Sequence, residues 1–268
     1  EDARLEAEIL VCRAVGFDDR LRIYLEPERL MNEVERSRYI ALIAERSKRM
    51  PLAYIIGEWE FYGLPFFVNE DVFVPRPATE HLVDAVLSYV KTHTTQDSNG
   101  WINVLDVGTG SGCIGVSLAV SDGRIRVVAT DISFKALLVA KENAKRHKVG
   151  ARVRFVLTNI LDGIRGEAKF DVVVSNPPYV TEEEYKSVPP EVRYEPVTAL
   201  YGGGDGMDVY CPLIMRSSVL LKKSGLLALE LNPNTAKDIE GFVSRAGFSE
   251  IRILPDYGSL PRILLAKK

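Results

Sequence analysis

The sequence predicts an α/β protein in which a small helical domain precedes a seven-stranded, mostly parallel sheet. From Trp101 onward, strand-like apolar runs alternate with helical patterns, the order expected of parallel strands joined by crossover helices. The first five runs are continuously apolar, as expected of strands that are covered by helices on both faces. The first fifty residues instead carry the apolar spacing of helices alone.

The amino-terminal region is predicted to be helical. Leu5, Ile9 and Cys12 are spaced i, i+4, i+7, and the same spacing recurs within residues 35–50. The charges between the apolar residues are most simply a solvated helix face, with a docking surface for a partner as the alternative. We assign residues 1–57 to a helical, substrate-docking domain.

A hairpin and a helix are expected to connect this domain to the sheet. Aromatic and β-branched residues alternate around turn residues between positions 61 and 74, which predicts a β-hairpin. We therefore place a hairpin linker at residues 58–78 and a second domain at residues 79–268. The first helix of that domain is expected at about residues 79–90 and is followed by a polar linker at residues 91–100.

Seven strands are predicted in the second domain. Their expected bounds are 102–107, 125–130, 153–157, 170–175, 226–231, 251–254 and 263–266. The last two strands are separated by a loop too short for a crossover helix, so they are expected to pair antiparallel.

Composition restricts the classes of partner. A net charge of −3 and a pI near 5.8 provide no overall basic surface, so stable nucleic-acid binding is not expected, although a local patch stays open. The three cysteines lack metal-ligand spacing, and no apolar run approaches the length of a membrane span. We expect a monomer with no metal and no membrane association. The charged first residues favour a cytoplasmic location, with a mitochondrion or other organelle as the alternative if a targeting segment was removed.

A glycine-rich loop marks a predicted nucleotide-type site. The strand at residues 102–107 runs into this loop and then into an apolar helix, the order found at such sites. Because the glycines also satisfy the G-x-G-x-x-G pattern, the loop alone leaves a dinucleotide-dependent enzyme open. The candidate cofactor-binding residues of the loop are Gly108, Thr109, Gly110 and Gly112.

Three polar residues at strand ends are further candidates. Asp131 ends the second strand, where a carboxylate accepts hydrogen bonds from a ribose diol, although it could also cap the helix near Ser133. Asp106 is expected to hold the glycine loop or to meet a charged part of the cofactor. Asn159 follows the third strand and is a candidate for reading an adenine edge, with an exposed loop amide as the alternative.

The residues Asn176-Pro177-Pro178-Tyr179 follow the fourth strand and suit methylation of a planar amino group. Such a nitrogen is a poor nucleophile because its lone pair is delocalised, so an enzyme must hold its N–H bonds with acceptors and aim it at an electrophile. Asn176 supplies a side-chain oxygen and Pro177 a backbone oxygen, and the two prolines make the turn rigid. Tyr179 can stack on a flat substrate. The alternative is a proline-rich turn that only ends a strand.

Together these motifs resemble the HemK/PrmC family, the S-adenosylmethionine-dependent release factor glutamine methyltransferases. The matching segments are 51–61, 74–80, 106–112, Asp131, 175–180, 194–200 and 203–207. The resemblance implies a Rossmann-like class I methyltransferase domain and methyl transfer from S-adenosylmethionine to the side-chain amide nitrogen of the glutamine in a release factor's Gly-Gly-Gln motif.

The resemblance also implies roles for single residues. Asn176 and the Pro177 carbonyl would hold the glutamine amide, with Tyr179 as the third catalytic candidate and Pro178 completing the substrate site. Asn176 would also border the cofactor, which the glycine loop and Asp131 would hold. The chain departs from the family pattern at Ala78, where Glu is usual, and at residues 230–233, where Glu-Leu-Asn-Pro replaces Glu-x-Gly followed by Gln.

Three other functions stay open at this point. The same turn could hold the glutamine of a ribosomal protein or the exocyclic amine of adenine or cytosine in nucleic acid, although the acidic net charge argues against nucleic acid. A non-catalytic binding protein built on the same fold is the third alternative.

Overall fold

The computed structural model describes residues 3–92, 100–167, 169–256 and 258–268, so the predicted polar linker lies largely outside the described residues. The helices are α1 (Ala3–Val15), α2 (Leu21–Leu25), α3 (Glu33–Ser47), α4 (Leu52–Ile56), α5 (Pro77–Thr92), α6 (Cys113–Ser121), α7 (Phe134–Arg146), α8 (Glu182–Lys186), α9 (Val197–Leu200), α10 (Tyr210–Leu220) and α11 (Ala236–Arg245). The strands are β1 (Glu58–Phe61), β2 (Leu64–Phe67), β3 (Ile102–Val107), β4 (Ile125–Asp131), β5 (Val153–Leu157), β6 (Phe170–Ser175), β7 (Leu221–Glu230), β8 (Ser249–Pro255) and β9 (Pro261–Lys267).

The main sheet has seven strands in the order β5-β4-β3-β6-β7-β9-β8. The strands from β5 to β7 are parallel, whereas β9 pairs antiparallel with both β7 and β8. Both the seven-stranded α/β fold and the antiparallel pairing of the last two strands are confirmed. The chain moves outward from β3 to β5 and then returns to the other side of β3 with β6. This reversal is the topological switch point at which ligands bind in open α/β sheets.

Apolar side chains cover both faces of the sheet. Val104 of β3 packs with α5 and α6 in one cluster of buried residues, and its neighbour Leu105 packs with α10 and α11 in a second cluster. Because successive side chains of a strand point to opposite faces, burial of both faces requires continuously apolar strands. This explains the apolar runs from which the parallel sheet was predicted.

The amino-terminal region is helical, as predicted. Leu10 and Ala14 of α1 are buried, while none of the residues of α3 is fully buried. A capping box at Asn32 and Glu35 begins α3: the Asn32 side chain accepts from the Glu35 backbone N–H, and the Glu35 side chain accepts from the Asn32 backbone N–H.

The hairpin spans residues 58–67 rather than 61–74. β1 and β2 pair antiparallel from Glu58 opposite Phe67 to Phe61 opposite Leu64. Pairing ends there because Asn69 forms a local turn, in which its side chain accepts a hydrogen bond from the Asp71 backbone N–H at 3.1 Å.

Residues 181–201, which we call the wall segment, follow β6 and contact both parts of the chain. Glu191 Oε1 lies 3.2 Å from Arg46 Nη1 and 3.0 Å from Arg49 Nη1, and Tyr194 donates a hydrogen bond to the Lys48 carbonyl at 2.6 Å. The end of α3 and the residues just after it thus bind the wall segment directly. In the part of the chain that is described, no helix is both long and apolar enough to span a bilayer.

Candidate active site

A cavity of about 310 Å³ opens at the switch point of the sheet. The loops after β3, β4, β5 and β6 line it, together with residues 71–73 and Pro75 before α5 and part of the wall segment. This volume lies at the lower end of the range of small-molecule sites. The β3–β6 register places Val107 opposite Ser175, so the glycine loop (residues 108–112) and the Asn-Pro-Pro-Tyr turn (residues 176–179) leave the sheet side by side.

The glycines of the loop divide into two kinds. Gly108 and Gly110 have φ values of +69° and +54°, and a Cβ on either would meet no atom within 4 Å. These two positions border open space, and with Thr109 they line the cavity. A Cβ on Gly112 would instead lie 3.1 Å from the Cβ of Ala140 in α7. Gly112 therefore serves the close approach of α6 and α7, and it is absent from the cavity lining.

Asp106 supports the loop from beneath and is also absent from the lining. It is fully buried, and its Oδ2 accepts hydrogen bonds from Thr109 Oγ1 at 2.6 Å and from the Gly115 backbone N–H at 3.1 Å. Its Oδ1 has no partner among the described residues. Burial raises the pKa of Asp106 to about 6. Of the two roles expected for Asp106, the contacts correspond to holding the loop.

Asp131 borders the cavity and holds two backbone segments. Its Oδ2 accepts from the Gly110 N–H at 2.9 Å and its Oδ1 from the Ser133 N–H at 2.8 Å. Ser133 itself caps α7, because its side chain accepts from the Ala136 N–H. Burial raises the pKa of Asp131. Asn159 also lines the cavity and is exposed.

The Asn-Pro-Pro-Tyr turn presents two unused acceptors. All four of its residues line the cavity. The Asn176 side chain donates through Nδ2 to Thr79 Oγ1 at 3.2 Å, which leaves Oδ1 as the other end of the amide. Among the residues that the structure describes, no donor reaches Asn176 Oδ1 or the Pro177 carbonyl. Two oxygens are therefore available for the N–H groups of a bound amide or amine.

Two residues behind the turn were missed as site residues. Thr79 and Glu230 are each only 2% exposed, and Thr79 Oγ1 donates to Glu230 Oε2 at 2.6 Å. Tyr179 donates its hydroxyl to Glu230 Oε1 at 3.3 Å, and burial raises the pKa of both Glu230 and Tyr179. One sequence signal was available for Glu230: it is a carboxylate at the carboxyl end of an apolar strand. A charged side chain buried at such a position is rare unless it has a partner.

A second buried carboxylate fixes the wall segment over the cavity. Glu195 pairs with Arg76, and its Oε2 accepts from the Val74 N–H at 3.2 Å. The Arg76 guanidinium also lies 4.6 Å from the ring centroid of Phe73, a cavity-lining residue. These contacts join the segment before α5 to the wall segment. In the described ranges, no three His, Cys, Asp or Glu side chains group as a metal site requires.

Known proteins with similar sequence or structure cover both parts of the chain. Residues 86–228 match the methyltransferase small domain family, and residues 1–57 match the PrmC N-terminal domain. A release factor glutamine methyltransferase from Rhodopirellula baltica is 36% identical over 100% of this chain and 90% of its own length. One from Chlorobaculum tepidum is 38% identical over 98% of this chain and 89% of its own.

A solved structure agrees on the fold. A 16S rRNA methyltransferase from T. thermophilus, in complex with AdoMet and guanosine, superposes with a TM-score of 0.56 at 18% identity, covering 79% of this chain and 49% of that one. At this identity the likeness concerns the fold alone. The sequence matches extend over the whole chain at more than one third identity, and the chain therefore belongs to the release factor glutamine methyltransferase family.

Proposed function

We propose that the protein transfers a methyl group from S-adenosylmethionine to the side-chain amide nitrogen (N5) of the glutamine in the Gly-Gly-Gln motif of a peptide chain release factor. The observation that carries the proposal is the pair of unused acceptors, Asn176 Oδ1 and the Pro177 carbonyl, beside an open glycine loop. The names of the two bacterial relatives support the substrate.

The residues around the glycine loop fit S-adenosylmethionine. Gly108 and Gly110 leave room for a ligand against the backbone, and the Asp131 carboxylate borders the same space and can accept from a ribose diol. Thr109 and Asn159 complete the proposed cofactor site, with Asp106 and Gly112 supporting it from behind. When bound, S-adenosylmethionine supplies an electrophilic methyl group on a sulfonium centre.

The proposed work of the Asn-Pro-Pro-Tyr turn is to position and polarise the glutamine amide. Asn176 Oδ1 and the Pro177 carbonyl accept its two N–H bonds and so orient its nitrogen. The same oxygens stabilise the positive charge that develops on that nitrogen. The methylated nitrogen is acidic and releases a proton to water, so no strong general base is required. Pro178 keeps the turn rigid, and Tyr179 forms the surface against which the amide lies.

We also propose that the helical domain, residues 1–57, docks the release factor. Apolar side chains stand exposed on it and suit contact with a protein: Leu21, Leu25, Leu30, Val34 and Ile40. A monomeric protein acting in the cytoplasm, where release factors work, completes the proposal.

The test is methyl transfer from radiolabelled S-adenosylmethionine to a purified release factor. The same factor with alanine in place of the motif glutamine is the matched control, and a ribosomal protein mixture and DNA are run beside it. Label on the unaltered release factor alone supports the proposal. Label on a ribosomal protein or on DNA would support methyl transfer but contradict the release factor as the substrate. No label on any of them would contradict the whole proposal.

A further inference from the structure

We propose that Thr79 and Glu230 are positioning residues that fix the orientation of the Asn176 carboxamide, so that its oxygen and not its NH₂ group faces the substrate. The inference rests on the function proposed above, in which Asn176 must accept a hydrogen bond. The two ends of an asparagine amide have nearly the same size and shape, so packing alone does not distinguish them. With the amide reversed, its NH₂ would oppose the NH₂ of the glutamine, and the site would lose one of its two acceptors.

The hydrogen-bond directions follow from what each group can donate. An ionised Glu230 only accepts, so the Thr79 hydroxyl proton is directed to Glu230 Oε2 at 2.6 Å. Thr79 Oγ1 then has no proton left for Asn176 and can only accept. The asparagine atom 3.2 Å away must therefore be Nδ2, and Oδ1 occupies the free end of the amide.

Burial prevents water from taking the place of either partner in these hydrogen bonds. Thr79 and Glu230 are each 2% exposed, so bulk water has little access to replace either partner. The other carboxylate oxygen, Oε1, accepts from Tyr179, and the Glu230 backbone carbonyl accepts from the Tyr210 hydroxyl at 2.7 Å. Both oxygens of the carboxylate are thus engaged. Glu230 serves as one fixed point for two residues of the Asn-Pro-Pro-Tyr turn.

The same argument predicts that protonation of Glu230 reverses the direction of the hydrogen bonds that run from Asn176 through Thr79 to Glu230. A protonated Glu230 would donate to Thr79, whose own proton would then turn to Asn176, and the asparagine would present NH₂ to the cavity. Among the described residues, the groups that face Glu230 are Thr79 of α5, Cys113 of α6, Tyr179 after β6, Tyr210 of α10, Arg262 of β9 and Arg76 before α5. The two arginines favour the carboxylate, whereas burial opposes it and is the larger effect.

Kinetics of three variants separate positioning from folding. Thr79→Val keeps the shape but removes the acceptor, so we expect kcat to fall roughly 10- to 100-fold with cofactor affinity near that of the wild type. Thr79→Ser restores the hydroxyl and should recover most of kcat. Ser217→Ala is the matched control, because Ser217 is likewise buried, its hydroxyl oxygen lies 2.7 Å from the Leu213 carbonyl of its own helix, and it lies outside the cavity lining. A Thr79→Val variant with wild-type kcat would overturn the proposal.

Glu230→Gln tests the protonation step. Its side-chain oxygen can still accept from Thr79, but it cannot titrate. We expect the wild type to lose kcat on acidification, at a pH above the usual range of a glutamate, and the variant to lack this acid limb. An identical acid limb in both proteins would exclude Glu230 as its source.

A measurement on the free protein decides the orientation without any turnover. The ¹⁵N-labelled side-chain amide of Asn176 is identified by its absence in Asn176→Ala. We expect its NH₂ protons to exchange with solvent more slowly in the wild type and Thr79→Ser than in Thr79→Val at the same pH. Equal exchange in all three proteins would overturn the proposal. Failure of the wild type to label a release factor would instead contradict the proposed function, and the exchange data would still decide the orientation of Asn176.

Discussion

Replacing Gly202 with alanine should displace the Asn-Pro-Pro-Tyr turn without touching the proposed cofactor site. A Cβ on Gly202 would lie 2.7 Å from the Pro178 carbonyl oxygen and 2.8 Å from the Tyr179 Cα. Gly202 cannot easily retreat, because its N–H donates to the Val180 carbonyl at 3.0 Å and its own carbonyl accepts from the Asp208 N–H at 2.9 Å. The added methyl group therefore presses on the backbone of the turn.

The size of the displacement follows from these distances. Restoring an ordinary contact of 3.4 Å from 2.7 Å requires a shift of about 0.7 Å in the backbone at Pro178. A misplacement of about 1 Å at a reacting group costs on the order of 100-fold in rate, so we expect kcat to fall roughly 10- to 100-fold. That range corresponds to about 1.4–2.7 kcal/mol of activation free energy.

The assay is steady-state methyl transfer at saturating release factor and S-adenosylmethionine, with cofactor affinity measured separately by calorimetry. Gly204→Ala is the matched control, since it lies two residues away and its Cβ would meet no atom within 4 Å. We expect Gly204→Ala to behave as the wild type, and Gly202→Ala to lose kcat while retaining cofactor affinity. Wild-type kcat in Gly202→Ala, or an equal loss in both variants, would refute the reasoning.

Three further substitutions test the site. Asn176→Ala removes one of the two proposed acceptors, and we expect kcat to fall roughly 10²–10³-fold in the release factor assay. Asp131→Ala removes the acceptor of the Gly110 and Ser133 N–H groups, so the dissociation constant of S-adenosylmethionine in calorimetry should rise at least about tenfold. Asp106→Asn should flatten the pH dependence of stability in urea unfolding. The folded protein holds the Asp106 proton more tightly than the unfolded protein does. The contribution of Asp106 to the free energy of unfolding is therefore fully present below about pH 3.8 and is lost as the pH rises through about 6, a change of about 3 kcal/mol.

Each of these expectations has an outcome that contradicts it. Near-normal turnover of Asn176→Ala would exclude its oxygen as an essential acceptor. Unchanged cofactor affinity in Asp131→Ala would remove that carboxylate from the proposed cofactor site. Equal pH dependence of the unfolding free energy in the wild type and Asp106→Asn would mean that Asp106 titrates alike in the folded and unfolded chains.

The sheet was predictable because its signal is local. Strands β3, β5 and β6 have the predicted bounds, since each is a mostly apolar run that is followed by a polar or glycine residue. The hairpin was less predictable because the apolar pattern continues beyond β2. Val68, Val72 and Val74 are buried, but in an irregular segment that packs with Trp59 and α7, and burial alone does not distinguish that segment from a strand.

Site residues were predictable only where a polar side chain also lies at the carboxyl end of a strand. Asn176 directly follows β6 and Asp131 is the last residue of β4, so the fold class alone indicates that they meet at one edge of the sheet. Glu230 lies 151 residues from Thr79 in the chain, and no local pattern indicates that their side chains meet. The distinction between Gly110, which borders the cavity, and Gly112, which packs against Ala140, likewise depends on where α7 lies.

The binding of the wall segment by the helical domain limits how that domain can be studied. Arg46, Arg49 and the Lys48 carbonyl all contact Glu191 or Tyr194, a few residues before the part of the segment that lines the cavity. A truncated protein without its first fifty residues would lose every one of these anchors, and its cavity would change shape together with any loss of docking. An inactive truncation would therefore not identify the domain as a recognition module. Single polar substitutions at exposed positions such as Val34 and Ile40, which leave the anchors in place, would separate recognition of the substrate from the architecture of the cavity.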